Sequence, residues 1–308
     1  MKRKSEEEMT FMPEDGFVEE GGLRFHYRRW KPEHISASLV PLLLVHGLAS
    51  AAHIWDVVAP TFANTGFIVT AIDQRGHGES DKPTDGYDFA QIVEDDAAIV
   101  RTLGLVKPAL FGHSWGASVV LQYAATYPEQ VSALVLVDGG TNQLSARPGW
   151  TREQALKELA PPRFAGTPRE TFLSRVRSGP LGQQWTPQLE DIMLHIVQVR
   201  DDDTVAPRLD FDNHLKIVSA LWDQPTFELY SRVRCPILVI VAEQEPVDER
   251  QREMQHMRNE GLARIAALNA QVTIVRMANT IHDIPLQRPE ALFETVMHTS
   301  PIRAALGL

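Results

Sequence analysis

Ser114 stands in Gly112-His113-Ser114-Trp115-Gly116, between the apolar run Pro108-Ala109-Leu110-Phe111 and the helix-like stretch Ala117–Ala125. A serine hydroxyl is inert near neutral pH. One that does chemistry needs a base, an acid to orient that base, and donors for the oxyanion it creates. The G-x-S-x-G spacing predicts a nucleophile elbow, in which a strand turns sharply into a helix. The two glycines are needed because backbone passes backbone too closely there for a Cβ. Such a turn lifts the serine Oγ clear of the chain, and the helix N-terminus aims amide N–H groups at whatever Oγ attacks.

In sheets that carry such an elbow, the chain order is serine, then a carboxylate, then histidine. His282 follows the alternating run Gln271–Arg276 and precedes the helix signal Pro289-Glu290. It is therefore expected on a loop leaving a late strand, in reach of Ser114. The acid is assigned to Glu245, four residues past Val241 at the end of the run Pro236–Val241. Asp138, ending the strand Leu134–Val137, and Asp248 remain open alternatives. The oxyanion donors are expected to be the backbone amides of Leu48 and Trp115. Leu48 lies just past the break of Leu42–Val45 into His46-Gly47, and His46 reads as a structural histidine that pins this loop.

Together these residues resemble the α/β-hydrolase family, from about Phe17 to Met297. The resemblance rests on His46-Gly47, the segment Asp73-Gln74-Arg75-Gly76-His77-Gly78-Glu79-Ser80, the Gly112–Gly116 elbow, and Ile281-His282-Asp283. It implies that Asp73–Ser80 is the family's D-x-R-G-x-G-x-S loop, which braces the active site without a catalytic step. Two departures matter. Ala242 and Glu245 stand where the family often has glycine and aspartate. Trp115 resembles the epoxide-hydrolase and dehalogenase branch, but that branch has aspartate at the place of Ser114. An aspartate attacks an alkyl carbon, whereas a serine attacks an acyl carbon, so both activities are disfavoured.

The elements that must position these residues alternate as strands and helices, the pattern of a mostly parallel sheet covered on both faces. Phe17–Glu20, Gly21-Gly22 and Leu23–Trp30 read as an opening hairpin. From Gly139 to Thr226 the alternation stops and only helix signals remain. Thr151-Arg152-Glu153-Gln154 and Thr167-Pro168-Arg169-Glu170 look like capping boxes, and Thr186-Pro187 opens a further helix. The expected fold class is therefore α/β, an α/β-hydrolase fold with a mostly parallel sheet flanked by helices and an all-helical cap insertion. The expected organisation is a disordered tail at 1–15, a core at 16–138 and 227–308, and a cap at 139–226. Trp115, Trp185 and Met193 are expected to wall a substrate pocket beneath the cap. Asp201-Asp202-Asp203 reads as a solvated turn.

At 308 residues and 44% hydrophobic content the chain can bury a large core. The net charge of −10 disfavours a nucleic-acid partner. Cys235 is the only cysteine, which excludes an intrachain disulfide and points to a reducing, cytoplasmic setting. No run approaches the length of a membrane span, and no cluster shows metal-ligand spacing. The expected activity is cleavage of a carboxylic ester of a small or medium-sized lipophilic substrate through an acyl-enzyme, with no cofactor and no metal. The alternatives are a lactonase or carbon–carbon bond hydrolase, an aminopeptidase like proline iminopeptidase, and a non-catalytic small-molecule receptor.

Overall fold

The computed structural model describes residues 12–34, 36 and 38–308. Most of the expected N-terminal tail, residues 1–11, lies outside the described residues, while Glu14 and Asp15 already belong to the first strand. Strands β1 (Glu14–Glu20) and β2 (Leu23–Trp30) form the opening hairpin. Its two turn residues, Gly21 and Gly22, take φ of 57° and 78°. That hand of turn carries no Cβ penalty in glycine alone.

The chain continues through β3 (Leu42–Val45), a 3-10 turn at Ala52–Trp55, α1 (Ala59–Asn64), β4 (Val69–Ile72), α2 (Phe89–Thr102), β5 (Ala109–His113), α3 (Trp115–Thr126) and β6 (Ala133–Val137). Strands β3 to β6 are buried along their whole lengths. Continuous rather than alternating hydrophobicity is what a strand covered on both faces requires.

The insertion that follows holds α4 (Arg152–Glu158), β7 (Thr167–Pro168), α5 (Arg169–Arg177), α6 (Pro187–Ile196), β8 (Val197–Val199), β9 (Thr204–Pro207) and α7 (Phe211–Asp223). It is not all-helical. Strands β7, β9 and β8 form a small antiparallel sheet in that order. The hairpin β8–β9 turns on Asp201-Asp202-Asp203, with Asp203 at φ 60° and Asp202 accepting from the Thr204 amide at 3.1 Å. Thr167-Pro168 pairs with β9 instead of opening a capping box. Thr151 and Thr186 do cap their helices, accepting from the amides of Gln154 and Leu189.

After α8 (Thr226–Tyr230) the main sheet resumes with β10 (Ile237–Glu243), α9 (Glu249–Leu268) and β11 (Val272–Ala278), and the chain closes with α10 (Ile284–Gln287), α11 (Pro289–His298) and α12 (Ser300–Ala305). The eight main strands lie in the order β1-β2-β4-β3-β5-β6-β10-β11, with β2 antiparallel to both its neighbours and the others parallel. Each face of the sheet carries its own apolar core. Leu43 and Val45 of β3 feed one and Leu42 and Leu44 the other, as the two-residue period of a strand dictates. Cys235 is buried just before β10. Among the described residues no helix is long and apolar enough to cross a membrane.

Candidate active site

Ser114 takes φ 55° and ψ −118° between β5 and α3, a conformation that an L-residue holds only when its surroundings impose it. The surroundings are backbone. A Cβ on Gly112 would lie 2.3 Å from the carbonyl oxygen of Gly116, and one on Gly116 would lie 2.4 Å from that of Val45. The Ser114 amide donates to the Val137 carbonyl at 2.9 Å, which ties the turn to the end of β6.

His282, on the loop after β11, reaches back over the strand ends. The Ser114 hydroxyl donates to His282 Nε2 at 2.8 Å, and His282 Nδ1 donates to Asp138 Oδ2 at 2.6 Å. Thus the carboxylate on the imidazole is Asp138, which directly follows β6, and not Glu245. Strand β6 lies between β5 and β10, so its end stands beside the elbow. Glu245 is exposed on the loop after β10, and Asp248 caps α9 by accepting from the Gln251 amide. The second oxygen of Asp138 accepts from the Ala242 amide at 2.9 Å. Arg258, on α9, donates to the Ala242 carbonyl at 2.8 Å and holds a guanidinium nitrogen 3.9 Å from the same carboxylate oxygen. Packing around the imidazole pulls the His282 pKa down, but the hydrogen bond and charge of Asp138 outweigh it and hold it above its ordinary value.

His113 was not among the residues expected to matter. Its Nε2–H donates to the His282 carbonyl at 2.9 Å, so the residue beside the serine holds the loop of the histidine. Burial and the neighbouring His282 push its pKa down to about 4, which keeps it neutral. Sequence offers one signal for this role, the histidine inside the elbow itself.

The loop after β3 packs directly on the serine, since a Cβ on Gly47 would lie 3.1 Å from the Ser114 Cβ. His46 fixes that loop. Its Nδ1–H donates to the Gly47 carbonyl at 2.7 Å, and its Nε2 accepts from the Gln74 amide at 3.1 Å. Gln74 leads into the brace that the sequence suggested. Buried Asp73 accepts from the amides of Ala52 and Glu79, and Arg75 makes a two-pronged pair with Asp95 at 2.7 and 2.8 Å. Burial raises the Asp73 pKa, but the hydrogen bond from His26 and the other donors around it win and hold it well below the carboxylate range.

Ser114, Asp138 and His282 open onto a cavity of about 970 Å³. Leu48 and Trp115 line it beside the serine, and Leu144, Val218, Leu221 and Met254 give it apolar walls. Residues 139–148 and α7 form the side contributed by the insertion. Trp185 and Met193 are not there. They pack into the second core with Leu189 and Ile192, where α6 meets the Ala52–Trp55 turn. The amphipathic period of α6 showed a buried face, but it did not show against what.

The family model of the alpha/beta hydrolase fold matches residues 40–286. This chain belongs to that family. Among the relatives of this alpha/beta hydrolase is a monoacylglycerol lipase of Mycolicibacterium smegmatis, 36% identical over 134 residues, a match that covers 42% of this chain and 47% of the lipase. A 2-(acetamidomethylene)succinate hydrolase of Mesorhizobium japonicum is 37% identical over 97 residues, covering 32% of this chain and 34% of that enzyme. The matches thus span less than half the length of these relatives. The crystal structure of an E-2-(acetamidomethylene)succinate hydrolase superposes with a TM-score of 0.71 at 22% identity, covering 92% of this chain and 98% of that one. At that identity the likeness speaks for the fold alone.

Proposed function

We propose that this alpha/beta hydrolase is a serine hydrolase that cleaves a carboxylic ester of a small or medium-sized substrate through an acyl-enzyme. The observation that supports it best is the unbroken hydrogen-bond chain from Ser114 through His282 to Asp138. In this reading Ser114 Oγ attacks the ester carbonyl while His282 Nε2 takes its proton. Asp138 fixes the Nδ1–H tautomer and stabilises the imidazolium. The amides of Leu48 and Trp115 hold the oxyanion. His282 returns the proton to the departing alcohol, then activates the water that frees the acid. A serine nucleophile argues against epoxide opening, the activity named in another relative, a soluble epoxide hydrolase of Corynebacterium. An aminopeptidase would need acidic residues of the insertion placed to hold a substrate amine, and Asp201–Asp203 forms an exposed hairpin turn that does not line the cavity. The lone buried thiol fits work in a reducing compartment, the cytoplasm.

A panel of p-nitrophenyl esters of increasing chain length, run beside an aminoacyl anilide and a lactone, tests this reading. Ser114→Ala should leave only the residual ~10³–10⁴-fold advantage over water that binding and oxyanion donors give. Ester turnover that survives in a folded Ser114→Ala protein overturns the reading.

A further inference from the structure

The chain as a whole carries a net charge of −10, yet the wall of its catalytic cavity is cationic. Arg147, Arg258 and Arg264 line it, against two carboxylates, Asp138 and Glu260. Asp138 is paired with Arg258 at 3.9 Å, and exposed Glu260 lies beside His256 at 3.3 Å, so the two arginines left are Arg147 and Arg264. Among the described residues, Arg147 and Arg264 have no carboxylate within ion-pairing distance. Each instead holds its guanidinium carbon over an aromatic ring, Arg147 over Trp150 at 3.9 Å from the ring centre and Arg264 over Phe227 at 4.0 Å. Cation–π attraction to a ring does not consume a guanidinium's N–H donors, whose fork matches a carboxylate. Burial, then the charge of nearby Arg250, lowers the Arg147 pKa, and the charge of Glu158 offsets this only in part.

Helix α9 sets the spacing. Gln251, Met254, Arg258, Gly261 and Arg264 of α9 all line the cavity, so this helix runs along its wall. Arg258 stands nearest the triad, through Ala242 and Asp138, and Arg264 lies about 9 Å further along the axis. Leu144, Leu221 and Met254 supply apolar surface in the same cavity.

We propose that the cationic wall binds a negatively charged end of the substrate, so that the preferred esters carry a free carboxylate, as in half-esters of dicarboxylic acids. The inference rests on the serine-hydrolase reading above and adds the class of acyl group. An apolar chain would lie along Leu144 and Leu221, with its terminal carboxylate on the N–H edges of the arginines. Because such an anion is attracted before it is bound, the preference should weaken with salt.

The test compares p-nitrophenyl half-esters of dicarboxylic acids with neutral esters of equal chain length. The ratio of kcat/KM, anionic over neutral, should be about tenfold or more in the wild type. It should fall as sodium chloride rises from about 0.05 to about 0.5 M. In Arg147→Gln, and in the double variant Arg147→Gln/Arg264→Gln, the ratio should drop toward unity. A wild-type ratio at or below one, or a ratio that both variants keep, overturns the proposal. Calorimetric titration of a free dicarboxylate into Ser114→Ala protein needs no turnover and separates the two readings. Arginine-dependent, salt-sensitive binding without any ester hydrolysis would remove the esterase reading and support the anion site. Ser114-dependent hydrolysis with no anionic preference and no binding would overturn the anion site alone.

Discussion

Asp138 and His282 set one another's charge, and the pH profile should report it. A base must be neutral to act, so kcat/KM should rise with pH through an apparent pKa above the ordinary 6.5 of histidine. In Asp138→Asn the two largest raising influences are gone, while that of Asp283 and the packing that lowers the imidazole remain. The acidic limb should then move to lower pH, while turnover drops by about 10⁴ through loss of the correct tautomer. Glu245→Gln should stay near wild type, because that carboxylate is exposed and makes no contact with His282. Rate profiles of the two variants on one nitrophenyl ester decide the matter, and a reversed order would return the acid to Glu245. Ser114 and His282 were legible because their signals are local, a spacing and a position after a strand. The acid was not, because its choice depends on strand order, which brings the end of β6 beside the elbow. One signal was nonetheless present. Asp138 is followed by Gly139-Gly140, and a Cβ on Gly139 would lie 2.1 Å from the Ser114 carbonyl oxygen.

That contact governs the elements as well. Because the obstacle at Gly139 is backbone, which cannot step aside as a side chain does, Gly139→Ala should cost more than about 4 kcal/mol. Differential scanning calorimetry should show a melting point lower by about 8 °C or more, or the variant should fail to accumulate. Asp95→Asn tests the brace under the His46-Gly47 loop. Removing one charge of the buried Arg75–Asp95 pair strands the other, at about 3–5 kcal/mol. The loss should appear in denaturant midpoints. Asp73–Ser80 was readable as a brace through its resemblance to the family's D-x-R-G-x-G-x-S loop. The small sheet of the insertion was not readable, since strands of two to four residues are too short to show a two-residue period.

Over the whole molecule the insertion divides its work. Residues 139–148 and α7 wall the cavity, whereas α6 is fastened to the core away from it, with His195 stacked on His53 at 4.0 Å. Met193→Ala should therefore lower stability by about 2–5 kcal/mol and leave the order of ester chain lengths as it is. Leu221→Ala should change that order by roughly ten- to a hundredfold, because Leu221 faces the cavity. A chain-length series on both variants checks the pair, and a shift in Met193→Ala alone would place the pocket on the wrong side of the insertion. The alternating core was legible from hydrophobic runs and turn signals. Which half of the insertion walls the cavity was not, because amphipathic spacing shows that a helix has a partner without naming it.

Cys235 gives the chain a practical property. It is the only cysteine, it is 6% exposed, and burial pushes its thiol up to about 12. At neutral pH the native protein should be nearly silent toward maleimides, since the thiolate is the reacting species. A cysteine placed at exposed Met254, on the rim of the cavity, would then be the sole site of labelling in an otherwise unaltered background. A fluorophore attached there would see ligands arrive without any other residue being sacrificed to silence the rest of the chain.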